Sequence, residues 1–145
     1  MARLNGIELA VEVTEPATGM ARALMGELAE HLSALAQRGE RHQIDLTSLP
    51  MSSGDMQELA GLLGQGEVDI TLSTIGDSKI YETAYSGIWW VKHYAADEQL
   101  ISELIEVAEI PAIIKSQAPD IEQSAALLNQ LIEQTDSGND RGDDA

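Results

Sequence analysis

Apolar residues recur at three- and four-residue steps in three parts of the chain, and this spacing predicts three amphipathic helices. Glycines follow the first two stretches, as is typical of helix C-termini. The predicted helices are residues 18–38, capped by Thr18 and ended by Gly39; a second helix that begins at a cap formed by Ser52, Ser53 or Asp55 and ends at about Leu63, before Gly64 and Gly66; and residues 120–134.

Alternation of apolar and polar residues predicts the strands of a sheet. It is clearest at Val68, Ile70 and Leu72, and we expect these three side chains to face the helices. Residues 99–110 fit both a helix and a strand, and the stop at Ile110-Pro111 favours the strand. The predicted strands are residues 7–13, 43–46, 68–73, 79–85, 88–94 and about 103–110.

Predicted helices come before and after a run of strands in the sequence, and this order indicates an α+β fold. Short links between consecutive strands make them antiparallel neighbours. We therefore predict a two-layer architecture in which a mostly antiparallel sheet of about four strands packs against three helices. A single domain is expected over residues 1–134, and residues 135–145 are predicted to form a disordered acidic tail.

The formal net charge is −17, from 25 acidic and 8 basic residues. Nucleic acid is not an expected partner, because duplex binding needs Lys and Arg to neutralise phosphates. A basic protein partner would be attracted, and its encounter would be accelerated. The alternative is that the acidity serves only solubility.

Apolar runs and cysteine usage place further bounds on function. No stretch approaches about 18 apolar residues, and the N-terminal sequence has no long apolar run, so we expect neither a membrane span nor a signal peptide. The chain has no cysteine, which excludes disulfides and thiolate ligands for a metal or an iron–sulfur cluster. These features fit a cytoplasmic protein.

Catalytic and metal chemistry have weak candidates. His31 lies one helical turn after Glu27, but two ligands do not make a zinc site, so no metal or other cofactor is predicted. Glu67 and Asp69 share the polar face of one predicted strand, and Glu82 lies on the next. A small carboxylate-dependent enzyme is the alternative that these three residues leave open. Proximity by chance is expected in so acidic a chain, and no nucleophile, base and orienting residue form a set.

Two consecutive tryptophans, Trp89 and Trp90, lie on the predicted strand over residues 88–94. Consecutive side chains of a strand point to opposite faces, so one large aromatic ring reaches the second face. An exposed tryptophan would suit a binding site, because tryptophan is enriched at interface hot spots. The alternative is that helices or a partner subunit cover both faces of the strand.

An ordered set of short motifs resembles the HupH/HyaF hydrogenase expression/formation proteins. The resemblance covers roughly Leu49 to Leu131, and the order and spacing of the motifs together make it specific. The motifs are Leu49-Pro50-Met51, Leu62-Leu63-Gly64-Gln65-Gly66-Glu67-Val68, Tyr81-Glu82-Thr83, Gly87-Ile88-Trp89, Ile105-Glu106-Val107, Glu109-Ile110-Pro111, Asp120-Ile121 and Ser124-Ala125-Ala126.

The resemblance implies a non-enzymatic assembly factor or chaperone for nickel–iron uptake hydrogenases. Its expected partners are the small-subunit precursor, whose twin-arginine signal peptide has basic and apolar parts, or other maturation proteins. The chain looks shorter than members of that family, so a homodimer that completes a surface, or a structural homo-oligomer, is a further expectation. The predicted partner-binding residues are Trp89 and Trp90 as apolar anchors, Glu67 and Glu82 as charged contacts, and Gly64 and Gly66 as the shape of the helix-to-strand turn.

Overall fold

The computed structural model describes residues 14–140 and, before them, two short strands, β1 (Arg3–Leu4) and β2 (Ile7–Glu8), which pair antiparallel. The predicted strand over residues 7–13 therefore lies mostly outside the described residues. The chain forms two compact units, Met1–Pro111 and Ala112–Ala145. The further elements are α1 (Met20–Arg38), β3 (His42–Asp45), α2 (Ser53–Leu63), β4 (Asp69–Ser73), β5 (Asp77–Glu82), β6 (Ile88–Tyr94), β7 (Leu100–Val107) and α3 (Ala118–Asp140), with short 3₁₀ turns at Leu46–Ser48 and Ala112–Ile114.

α1 ends where the sequence predicts, because Gly39 adopts a left-handed conformation and its N–H binds the carbonyls of Ala34 and Leu35. Its start differs from the prediction, since Gly19 and not Thr18 is the N-cap residue. Thr18 instead binds the Asp55 carboxylate, through its backbone N–H and its hydroxyl, both at 2.6 Å. The threonine thus ties the segment before α1 to the start of α2.

α2 begins with a capping box. The Ser52 hydroxyl accepts the Asp55 N–H at 3.0 Å, and the Asp55 carboxylate accepts the Ser52 N–H at 3.0 Å. The Asp55 side chain is buried, and with the two bonds from Thr18 its carboxylate accepts three hydrogen bonds. These bonds, the one from the Thr18 hydroxyl first, hold the pKa of Asp55 well below its usual range.

Replacing Asp55 with asparagine is expected to lower the midpoint of thermal unfolding by about 5 °C at neutral pH, because the amide nitrogen cannot accept a bond. A depressed folded-state pKa stabilises the fold above the unfolded-state value, and this stabilisation is lost as the pH falls below about 4. The difference between the parent and the Asp55→Asn variant should therefore shrink between neutral pH and about pH 2 in a series of thermal melts. Glu30→Gln, on the exposed face of α1, is the control and should show no such convergence.

The main sheet has five strands in the order β3-β7-β6-β5-β4, and all neighbours are antiparallel. The α+β prediction is thus confirmed, with one strand more than the approximate four. The ambiguous segment forms a strand over residues 100–107. β3 pairs with it and is one edge strand of the sheet, while β4 is the other. β3 comes before α2 in the chain, so its pairing with β7 joins two segments that are far apart in the sequence.

One face of the sheet packs against α1 and α2. Its core residues on β3, β5, β6 and β7 meet apolar side chains of the two helices. The contributing sheet residues are Ile44, Tyr81, Ile88, Trp90, Ile105 and Val107, and the buried helix residues include Leu24, Leu28, Leu59 and Leu63. The hydrophobic core of this unit therefore lies between two layers.

The prediction that Val68, Ile70 and Leu72 face the helices was wrong. Ile70 pairs with Ile80, which pairs with Val91, and this row alternates with the Tyr81–Trp90 row that meets the helices. The apolar side of β4 therefore belongs to the opposite face of the sheet. Alternation identifies the two sides of a strand, but it does not say which side the helices cover.

The second unit contains α3, which is longer than predicted. The helix continues to Asp140, into the segment predicted as a disordered tail, while residues 141–145 lie outside the described residues. Its large apolar side chains are each more than half exposed: Ile121, Leu127, Leu128, Leu131 and Ile132. In the part of the chain that the structure describes, no helix is long and apolar enough to cross a membrane.

Candidate partner-binding site

Five of the eight motifs that carry the family resemblance meet at one end of the sheet. The turn over residues 64–68, the end of β5, the start of β6 and the end of β7 lie side by side, because Glu82 pairs with Trp89 and Trp89 pairs with Glu106. We call this region the motif end of the sheet: residues 64–68, 81–89 and 105–111. It gathers segments that are far apart in the sequence.

The glycine turn is pressed against the end of β5. The Gly66 N–H donates to the Glu82 carbonyl at 2.7 Å, and the Ala84 N–H donates to the Leu63 carbonyl at 2.9 Å. A Cβ atom at Gly66 would lie 2.6 Å from the Thr83 carbonyl oxygen and 3.0 Å from the Glu82 carboxylate. Gly64 has φ +64°, a conformation that favours glycine. The structure thus brings Gly64, Gly66 and Glu82 together.

Thr83 fixes the loop between β5 and β6, a role that sequence reasoning missed. Its buried hydroxyl donates to the Ile88 carbonyl at 2.9 Å and accepts the Tyr85 N–H at 3.2 Å. A buried hydroxyl that binds two backbone groups of one loop satisfies both groups and fixes the loop's conformation. The motif Tyr81-Glu82-Thr83 includes this threonine, but the sequence does not show that its hydroxyl binds the Ile88 carbonyl.

Neither tryptophan is an exposed anchor. Trp89, on the face opposite the helices, is 5% exposed and donates its indole N–H to the Ala108 carbonyl at 3.1 Å. Trp90, on the helix face, is 2% exposed and donates to Glu103 Oε2 at 2.6 Å. The prediction that one ring reaches the second face is confirmed, since Trp89 lies there, but that ring is buried and not exposed. Both rings hold the sheet together.

Glu103 is a buried acceptor that the sequence did not reveal. Besides the Trp90 indole, it has the Lys92 ammonium 3.9 Å away, next to it across β6 and β7. Tyr81 stacks on Trp90 with ring centroids 6.0 Å apart. Burial, and then the negative charge of Glu103, raise the pKa of Tyr81 well above its usual range. A polar group of this kind inside a core fixes the position of the aromatic rings around it.

The exposed part of the motif end combines negative charge with apolar side chains. Glu67 and Glu109 are exposed and Glu82 is half-buried. Val68, Tyr85 and Ile110 are 38%, 47% and 43% exposed. Glu106 is buried and paired with Arg41 at 3.2 Å, and Arg41 also donates to the Ile110 carbonyl at 3.0 Å. The surface is therefore acidic, partly apolar and built on hydrogen-bonded backbone.

Two of the carboxylates proposed for catalysis, Asp69 and Glu82, lie on opposite faces of the sheet. Asp69 pairs with Tyr81 in the register, so it lies on the helix side of the sheet, whereas Glu82 lies on the other side. An open cavity of about 440 Å³ occurs at the opposite end of β5, where Asp77, Lys79 and Tyr94 are among the lining residues. None of Glu67, Asp69 and Glu82 lines it.

Comparison with known proteins identifies the family to which this sequence and fold correspond. The family model described as "HupH hydrogenase expression protein, C-terminal conserved region" matches residues 19–135, from the start of α1 into α3. The chain belongs to the HupH family. The match begins before Leu49, so α1 and β3 are part of the family region as well as the motifs recognised in the sequence.

Relatives within the HupH family agree in sequence and in fold. A hydrogenase expression protein HupH from Thiobacillus denitrificans, of solved structure, is 39% identical with a TM-score of 0.77, over 81% of this chain and 98% of that one. The hydrogenase expression/formation protein HoxQ of Azotobacter vinelandii is 34% identical over 73% of this chain and 39% of that protein. HupH of Rhodobacter capsulatus is 34% identical over 78% of this chain and 41% of that protein. The chain thus spans about two fifths of the length of these two relatives.

Proposed function

We propose that this chain is an accessory protein in the maturation of a nickel–iron hydrogenase, and that it binds the small-subunit precursor. The proposal is supported by its membership of the HupH family and by relatives that carry the name hydrogenase expression/formation protein. The role is binding and not catalysis, in the same cellular compartment as the unexported precursor, the cytoplasm.

The observation that carries the proposal is the composition of the motif end. Exposed Val68, Tyr85 and Ile110 supply apolar contact area, and Glu67 and Glu109 supply charge beside it. Apolar and aromatic side chains at the centre of an interface contribute most of its affinity, while charges at its rim steer the encounter. A segment with both basic and apolar residues has the complementary chemistry.

The buried tryptophans suit this role indirectly. Trp89 lies between Glu82 and Glu106 in the sheet register, and its indole N–H is bound to Ala108, two residues before Ile110. It therefore connects the strand that carries Glu82 with the segment that carries Glu109 and Ile110. A surface held in place before binding loses less conformational entropy when the partner docks.

A triple variant tests the proposed surface. Glu67→Gln and Glu109→Gln remove two negative charges, and Tyr85→Ala removes the aromatic contact. We expect the dissociation constant for the purified small-subunit precursor to rise at least tenfold, about 1.4 kcal/mol, in a biolayer or pull-down titration at low salt. The parent complex should also weaken as salt is raised, since exposed charges are screened.

The matched control carries Glu30→Gln, Glu122→Gln and Leu62→Ala, which change the net charge equally and remove one exposed apolar side chain elsewhere. It should bind like the parent. Equal binding by the triple variant and this control would reject the motif end as the docking surface. No retention of the precursor by the parent, even at low salt, would reject the proposed partner. Light scattering on the parent alone shows whether the predicted homodimer forms.

A further inference from the structure

Two of the three histidines meet where α1 faces the start of β3. The imidazole rings of His31 and His42 are stacked, with centroids 3.5 Å apart and planes inclined by 14°. Glu27 lies one helical turn before His31, and its Oε1 is 3.5 Å from His31 Nε2. Residues 39–41 connect α1 to β3, so that His42, the first residue of β3, lies beside Glu27 and His31.

The three side chains each place one metal-binding atom within 4.8 Å of the other two. Zinc binds imidazole nitrogen at about 2.0–2.1 Å in a tetrahedral arrangement, which separates neighbouring ligand atoms by roughly 3.4 Å. Binding therefore requires the side chains to rotate until these atoms lie closer together. His42 is exposed, so its ring is free to turn from the stacked position toward a shared ion.

His31 Nε2 is buried and makes no hydrogen bond within the part of the chain that the structure describes. Buried polar atoms almost always have a partner, so this nitrogen calls for one. The Glu27 carboxylate is near it but is not hydrogen-bonded to it. A metal ion between the carboxylate and the two rings would satisfy the nitrogen and use the same three atoms.

Local charge favours a cation at this place. The nearest basic residues in the sequence are already paired, Arg38 with Glu40 at 2.9 Å and Arg41 with Glu106 at 3.2 Å. The net charge of −17 further raises the local concentration of cations. Two imidazoles and one carboxylate select late transition metals, because magnesium and calcium prefer oxygen ligands.

We propose that Glu27, His31 and His42 form a binding site for a divalent late transition-metal ion such as Zn²⁺. Three protein ligands leave the fourth tetrahedral position for water or for a ligand atom from a bound molecule. The site lies on the edge strand of the main sheet, where His42 pairs with Val107. It does not depend on the proposed docking surface.

Calorimetric titration of the untagged, chelator-treated full chain with ZnCl₂ tests the site. We expect one ion per chain with a dissociation constant below about 100 µM at about 150 mM NaCl, with excess MgCl₂ present to occupy non-specific carboxylates. His42→Gln, at an exposed position, should raise the constant at least tenfold, and Glu27→Gln and His31→Gln should weaken binding as well. X-ray absorption at the zinc edge should show two imidazole ligands in the parent.

Matched controls distinguish this site from general attraction to an acidic protein. His93→Gln replaces the third histidine, whose Nδ1 is 2.7 Å from the Ser78 hydroxyl, and Glu30→Gln removes a neighbouring charge on α1. Both should bind zinc like the parent. Equal affinity in His42→Gln and His93→Gln would overturn the proposal, and so would the absence of a one-to-one isotherm in the folded parent.

Discussion

Trp90→Ala is expected to lower the free energy of unfolding of the sheet unit by about 3–5 kcal/mol, the range measured for removal of a buried aromatic ring. The ring is buried in the core between the sheet and the two helices, so alanine leaves a cavity there. The change also deprives the buried Glu103 carboxylate of its indole donor and Tyr81 of its stacking partner. The carboxylate keeps the Lys92 ammonium 3.9 Å away but loses a buried hydrogen bond, which adds to the loss.

Urea denaturation followed by the amide NMR signals of the sheet measures this effect. Leu62→Ala is the control, because Leu62 is 38% exposed on α2 and should change stability by less than about 1 kcal/mol. A Trp90→Ala variant as stable as this control would contradict the buried position of the ring. Loss of partner binding with unchanged stability would restore Trp90 as a direct contact.

Gly66→Ala should destabilise the same unit by about 1–3 kcal/mol, although it adds only a methyl group. The new Cβ would lie 2.6 Å from the Thr83 carbonyl oxygen, which is backbone and cannot turn away. Relief requires the turn to move off β5, which weakens the 2.7 Å bond from the Gly66 N–H to the Glu82 carbonyl. The expected result is a lower midpoint of urea denaturation. Because the turn moves off the end of β5, the position of Glu82 is expected to change as well.

Gly61→Ala is the matched control for this prediction. Gly61 is inside α2, and apart from its chain neighbours and the backbone of that helix nothing lies within 4 Å of where its Cβ would be. Alanine there should leave stability unchanged or raise it by up to about 1 kcal/mol, because alanine favours helices over glycine. If the two alanine variants have the same midpoint, the close approach at Gly66 is not a constraint on the fold.

Local sequence signals predicted most of the elements. β6 has the predicted bounds, residues 88–94, since a run of apolar and aromatic residues there follows a Ser86-Gly87 break. α1 ends at Arg38 because Gly39 accepts the left-handed conformation that stops a helix. Such features depend on neighbours in the chain, so the sequence contains them directly.

Long-range pairing accounts for what could not be predicted. Which side of β4 faces the helices depends on its register with β5, and the alternating pattern is the same for both sides. The indole N–H of buried Trp90 is accepted by Glu103, which lies on another strand, and the sequence does not show this pairing. The prediction of no metal site considered Glu27 and His31 on one helix, while His42 arrives from β3. That prediction stays open to the zinc titration.

The position of both tryptophans on β6 has a consequence for optical studies of unfolding. Indole emission reports only on the centre of the sheet, and the second unit contains no aromatic residue at all. That unit nevertheless holds the longest helix among the described residues, 23 residues against 19 in α1 and 11 in α2. Ellipticity and fluorescence therefore weight different parts of the molecule, so both signals should be recorded before unfolding is treated as one two-state transition.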